Sequence, residues 1–75
     1  MPRIPSIRAR EVARVAQSIG FVLDRQKGSH AVYYRAADKR RVIIPMHGTK
    51  DLKPGTLRGI INDMGLTVDE FTAKL

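Results

Sequence analysis

Apolar residues recur along this chain with two different periods, and the changes of period divide it into elements. Val12, Val15, Ala16 and Ile19 stand at the i, i+3, i+4, i+7 spacing of one buried helical stripe, while Arg8, Arg10, Arg14 and Gln17 fall mainly on the other faces. Ser6 has the chemistry of an N-cap, and Gly20 supplies a left-handed residue to end the helix. The spacing therefore predicts a helix from Ser6 or Ile7 to Ile19. Phe21 to Gln26 changes to strand formers, with Phe21 and Leu23 on one face and Val22 and Asp24 on the other. Lys27-Gly28-Ser29 has tight-turn composition, His30 to Arg35 is a second strand, and Ala36 to Arg40 is a polar connector of hairpin length. Arg41 to Ile44 is a third strand, which Pro45 stops by removing a ladder donor.

Met46 to Lys53 reads as a loop. Pro54 then suits the first turn of a helix, and Leu57, Ile60, Ile61 and Met64 repeat the helical stripe before Gly65 closes it. Gly59 within it costs about 1 kcal/mol relative to alanine; it marks close packing or tolerated slack. Thr67 and Glu70 form a capping box for a last short helix, with Leu66 and Phe71 placed for a hydrophobic staple. Short connectors between three strands imply an antiparallel meander. Helices on one face of such a sheet give an α+β two-layer domain, which leaves the opposite sheet face free as a working surface. Tyr33 and Tyr34 point to opposite faces of their strand, one to pack in the core and the other free to stack on a base. Periodicity does not choose, since His30-Val32-Tyr34 and Ala31-Tyr33-Arg35 are each acceptable inner faces.

The 75 residues make one domain, 1–75. A chain this short buries only about 60% of the surface that its unfolded form exposes. Without cysteine it has neither a disulfide framework nor a thiolate zinc site, so packing or a partner must supply the missing staple. The N-terminal residues carry arginines rather than a continuous apolar stretch, and no apolar run approaches the roughly 18 residues of a bilayer span. The chain reads as a soluble, cytoplasmic protein without a membrane association. Fourteen Lys and Arg against seven Asp and Glu give a net charge of +7 and a pI near 10.6. That balance on so small a body favours polyanions, nucleic acid first and an acidic protein second.

The chain holds two histidines, His30 and His47, and they are its main candidates for proton transfer near neutral pH. Attack of a ribose 2′-OH on its neighbouring phosphate needs such a base, together with positive charge for the developing negative charge. Arg25, Lys27 and Arg35 lie within a few residues of His30, and Ser29 offers a hydroxyl to a phosphate or to the imidazole. From residue type alone, an ordinary surface histidine at a hairpin end is the simpler reading of His30. For His47 the simpler reading is a loop residue bonding backbone. A two-histidine metal site is disfavoured, because no carboxylate-rich cluster accompanies the pair and a +7 chain repels divalent cations. There is no glycine-rich phosphate loop, and no cofactor is expected. Arginines and lysines on the first helix (Arg8, Arg10, Arg14), the hairpins (Arg25, Lys27, Arg35, Lys39, Arg40, Arg41) and the later loop (Lys50, Lys53) suit phosphates without reading sequence.

Several stretches also carry a likeness in order. Gly28-Ser29-His30, a tyrosine followed by Arg35, Val42-Ile43-Ile44-Pro45-Met46-His47-Gly48, and Leu52-Lys53-Pro54-Gly55-Thr56-Leu57-Arg58-Gly59-Ile60-Ile61 together resemble the HicA toxin family of bacterial and archaeal toxin–antitoxin pairs. The likeness runs from the first helix to Val68-Asp69-Glu70-Phe71. It implies a double-stranded-RNA-binding-domain-like fold, cleavage of mRNA, and neutralisation by a HicB-type antitoxin. The catalytic histidine of the family falls on His30, directly after Gly28-Ser29, and the loop histidine of the pattern on His47, in a structural or supporting role. The expectation is a metal-independent endoribonuclease with His30 as general acid or base. Its alternatives are a non-catalytic RNA-binding module of the same fold and a basic protein whose partner is an acidic protein.

Overall fold

In a computed structural model the described residues are 6–46 and 51–75. The elements follow the order α1 (Ala9–Ser18), β1 (Val22–Lys27), β2 (His30–Arg35), β3 (Arg40–Pro45), α2 (Pro54–Asp63) and α3 (Val68–Thr72). The sheet is antiparallel with strand order β1-β2-β3, which is the α-β-β-β-α arrangement of a double-stranded-RNA-binding-like domain followed by a short extra helix. No helix of the described residues is long and apolar enough to cross a membrane.

The core lies between the helices and one sheet face. α1 contributes Val12, Val15 and Ala16, α2 contributes Leu57, Ile60 and Ile61, the sheet contributes Ala31, Tyr33, Val42 and Ile44, and Phe71 of α3 plugs one side. Alternation along β2 thus turns Ala31, Tyr33 and Arg35 inward and His30, Val32 and Tyr34 outward, which resolves the tyrosine pair in favour of Tyr33 as the core residue. Both α1 and α2 contact β3. β1 extends past them, and all six of its residues are exposed. For that reason Phe21 is buried while Leu23, expected to share its face, stays 50% exposed.

The start of α1 differs from the expected one. Ser6 does not cap it; the helix begins at Ala9, and Arg8 stands at the N-cap in an extended conformation without a side-chain cap bond. The preceding residues are drawn into extended pairing instead. Arg8 bridges Asp51, the Leu52 N–H donates to the Ile7 carbonyl at 3.0 Å, and Ile7 and Leu52 are both buried. Burying two large aliphatic side chains outweighs a cap worth about 1 kcal/mol. Gly59 has open space where a Cβ would stand, so it is slack rather than close packing. The capping box of α3 is formed in both directions, Glu70 N–H to Thr67 Oγ1 at 3.1 Å and Thr67 N–H to Glu70 Oε1 at 2.8 Å.

The C-termini of α1 and α2 are built alike. Gly20 and Phe21 donate to the carbonyls of Gln17 and Ala16, and Gly65 and Leu66 donate to those of Asn62 and Ile61. Each is a Schellman turn that needs a left-handed residue, supplied by Gly20 at φ +99° and Gly65 at φ +82°. Each glycine also lies under an arginine of the β2–β3 hairpin: a Cβ at position 20 would stand 3.2 Å from Arg35 Cδ, and one at position 65 would stand 3.2 Å from the Arg40 guanidinium carbon. Gly65→Ala combines backbone strain with this crowding. It should lower unfolding stability by at least about 1 kcal/mol, measured by urea denaturation, whereas Gly59→Ala should be neutral or stabilising.

Candidate functional site

Gly28 and Ser29 form a two-residue hairpin between β1 and β2. Gly28 takes φ +60° and Ser29 does not take a positive φ, the pattern of a turn with glycine at its first central position. His30 follows as the first residue of β2, exposed, with Lys27 of β1 and Pro45 of β3 as its lateral neighbours. The Met46 N–H donates to the Ser29 carbonyl at 2.6 Å, joining the hairpin tip to the end of β3. The peptide that presents His30 is therefore held by two strands and one further backbone bond. His47 lies outside the described residues.

The outward residues form rows across the sheet: Lys27, His30 and Pro45; then Arg25, Val32 and Ile43; then Val22, Tyr34 and Arg41. Arg25 shares its face with Lys27 by alternation, and a bulge in β1 between Leu23 and Arg25 puts both on the face of Val22 rather than of Leu23. The sequence-derived candidates Lys27, His30, Gly28, Ser29 and Arg25 thus meet at one end of one open surface. Arg25 is well exposed, and its contact with Asp24, at 3.8 Å, is loose; an exposed pair of that kind contributes little and leaves the cation available to a phosphate.

Arg35 is placed differently from the other candidates. It stands at the far end of β2 from His30, about 17 Å along the strand, and points to the inner face. Its Nη1 donates to the Ile19 carbonyl at 2.9 Å and its Nη2 to the Met64 carbonyl at 3.5 Å. Nε and Nη2 also donate to Asp38 at 3.0 and 2.7 Å, and the guanidinium carbon lies 4.5 Å from the centre of the Phe21 ring. This side chain is occupied in joining helix ends and hairpin, so the structure does not bring it into the His30 cluster. Sequence proximity missed this because strand parity, not distance along the chain, decides which face a cation joins. Sequence reading left open which tyrosine faces outward; it is Tyr34, and the Arg41 guanidinium carbon lies 4.9 Å from its ring centre. Both share parity with the outward set once the register is known.

A family model described as the HicA toxin of bacterial toxin–antitoxin systems matches residues 9–66, from the first residue of α1 to just past α2. The chain belongs to the HicA toxin family. It is accordingly a toxin of a toxin–antitoxin pair. A comparison with curated proteins gives no match.

Hydrogen bonds from Arg35, ahead of the Arg40 N–H and the nearby positive charges, hold the Asp38 carboxyl down at about 2 from an ordinary 3.8. A folded-state value below the unfolded one stabilises the protein above the unfolded value and is lost as pH falls through the folded one. Asp38→Asn should therefore lower the thermal midpoint at neutral pH. The gap between variant and parent should close as pH is taken from about 4 to about 2, followed by circular dichroism.

Proposed function

We propose that this toxin is an endoribonuclease that cuts mRNA without a metal ion, with His30 as its general acid or base. The observation that carries this reading is the exposure of His30 at the rim of an open, basic sheet face with Lys27 directly across from it. The reaction that suits such a site is internal transfer. The 2′-OH loses its proton and attacks the adjacent phosphorus, the bond from phosphorus to O5′ breaks, and a proton goes to O5′. The products are a 2′,3′-cyclic phosphate and a 5′-OH. His30 takes the first proton or gives the second, and the cations of Lys27 and Arg25 stabilise charge on the phosphoryl oxygens. Ser29, beside the imidazole in sequence, offers its hydroxyl to the same phosphate. An open surface rather than a deep cleft fits a polymer that must be bound along its length.

Membership of a toxin–antitoxin family carries the expectation of a dedicated inhibitor. We take it to be a HicB-type antitoxin that acts in the cytoplasm by covering the face bearing His30. An acidic contact surface on the antitoxin would speed that association and exclude wrong partners.

Replacing His30 by alanine should reduce RNA cleavage by about 10²–10⁴ and relieve growth inhibition, with circular dichroism and RNA binding retained. A folded His30→Ala protein that cuts at the parental rate would sink the assignment. Parental protein that binds RNA but never cuts it would favour the non-catalytic alternative on the same fold.

A further inference from the structure

Tyr34, Arg41 and Asp24 make a second feature on the open face, which the cleavage reading does not use. Tyr34 lies on the central strand, half-buried, between Val22 and Arg41. Arg41 lays its guanidinium carbon 4.9 Å from the ring centre, and its Nη1 donates to Asp24 Oδ2 at 3.4 Å. Asp24 belongs to β1 and Arg41 to β3, and these strands are not neighbours. The bond therefore reaches across the central strand, a span of about 9–10 Å between backbones, and crosses over Tyr34. Asp24 is at the bulge of β1, the irregularity that re-aims a side chain in this way. The result is a guanidinium tethered beside an aromatic ring while 53% of the arginine side chain remains exposed.

Bases splayed from single-stranded RNA stack on aromatic rings and on arginine planes. A platform of both kinds, already assembled, gives up little side-chain freedom when a base arrives. It stands on the same face as His30 and four residues along the same strand, about 13 Å away, within the reach of a short extended strand. Arg25 and Lys27 lie toward the His30 end of that path, where backbone phosphates would run. We infer that Tyr34, with Arg41 held beside it by Asp24, is a base-stacking subsite for single-stranded RNA next to the His30 cleavage position. This rests on the reading of RNA as the substrate, and it gives Tyr34 and Arg41 a positioning role rather than a catalytic one.

The test uses the full chain with His30→Ala, so that RNA stays intact, and short single-stranded RNAs carrying 2-aminopurine at one position each. Stacking should quench the fluorophore at one position or two adjacent ones. Tyr34→Phe should retain the quench; Tyr34→Leu should lose it and bind roughly 5- to 100-fold more weakly. Removing the base at the quenched position should weaken binding to the Tyr34-containing protein by a similar factor, a readout that needs no change at Tyr34. The inference is overturned if no position shows a quench or an abasic penalty. It is equally overturned if Tyr34→Leu leaves RNA binding unchanged while weakening association with the antitoxin, which would make this face a protein contact. Cleavage by the unsubstituted protein, followed in parallel, reports on the catalytic reading separately: a stack without cleavage keeps this subsite and removes only the role of His30.

Discussion

Asp38, in the β2–β3 connection, receives Arg35 through two bonds and Arg40 through a third contact at 3.1 Å. Arg35 passes that restraint to the Ile19 and Met64 carbonyls, and Arg40 passes it to the Asp63 carbonyl at 3.3 Å. Neither α1 nor α2, both wholly within the described residues, has a basic residue in its own last turn. The hairpin supplies the cations that helix C-termini attract, and the same guanidinium groups answer carbonyls that a helix end leaves without partners. A domain with so small a core gains a tie between both helices and the sheet, made of charge-assisted bonds rather than a disulfide or metal.

That tie sits at one end of the sheet, and the candidate site sits at the other. Arg35 and Arg40 close the inner face at the end of β2, while His30 begins the strand and faces outward beside Lys27. The division lets a strongly basic chain use some cations for architecture and leave others open to solvent. Val22 and Ile43, 63% and 55% exposed, lie among the charges of the open face. They give that face some apolar area beside its cations.

Much of this was legible in the sequence because it depends on local periodicity. The helical stripes, the two closing glycines, the Thr67–Glu70 box and the Gly28-Ser29 hairpin each follow from residues a few positions apart. What escaped depends on distant partners. Ser6 has the right chemistry for a cap, yet Ile7 and Arg8 are pulled into extended pairing with Asp51 and Leu52, which no local pattern announces. Tyr33 and Tyr34 are interchangeable by alternation until helix packing selects the inner face. Arg35 and Arg25 look alike as cations near His30; alternation along β2 already sets Arg35 on the face opposite His30, and helix packing makes that face the inner one. The bulge at Asp24, which brings its carboxylate within reach of Arg41, leaves no mark in the run Val22 to Lys27.

The proposed reaction is internal attack of a 2′-OH served by His30. A single 2′-deoxy substitution at the nucleotide 5′ to the cleaved bond, in an RNA incubated with the unmodified toxin in EDTA, removes the nucleophile and nothing else. Cleavage at that bond should disappear, and the unsubstituted RNA should yield 2′,3′-cyclic phosphate and 5′-OH ends. Continued cutting at the deoxy position, or products bearing 5′-phosphates that form only when a divalent metal is present, would contradict it.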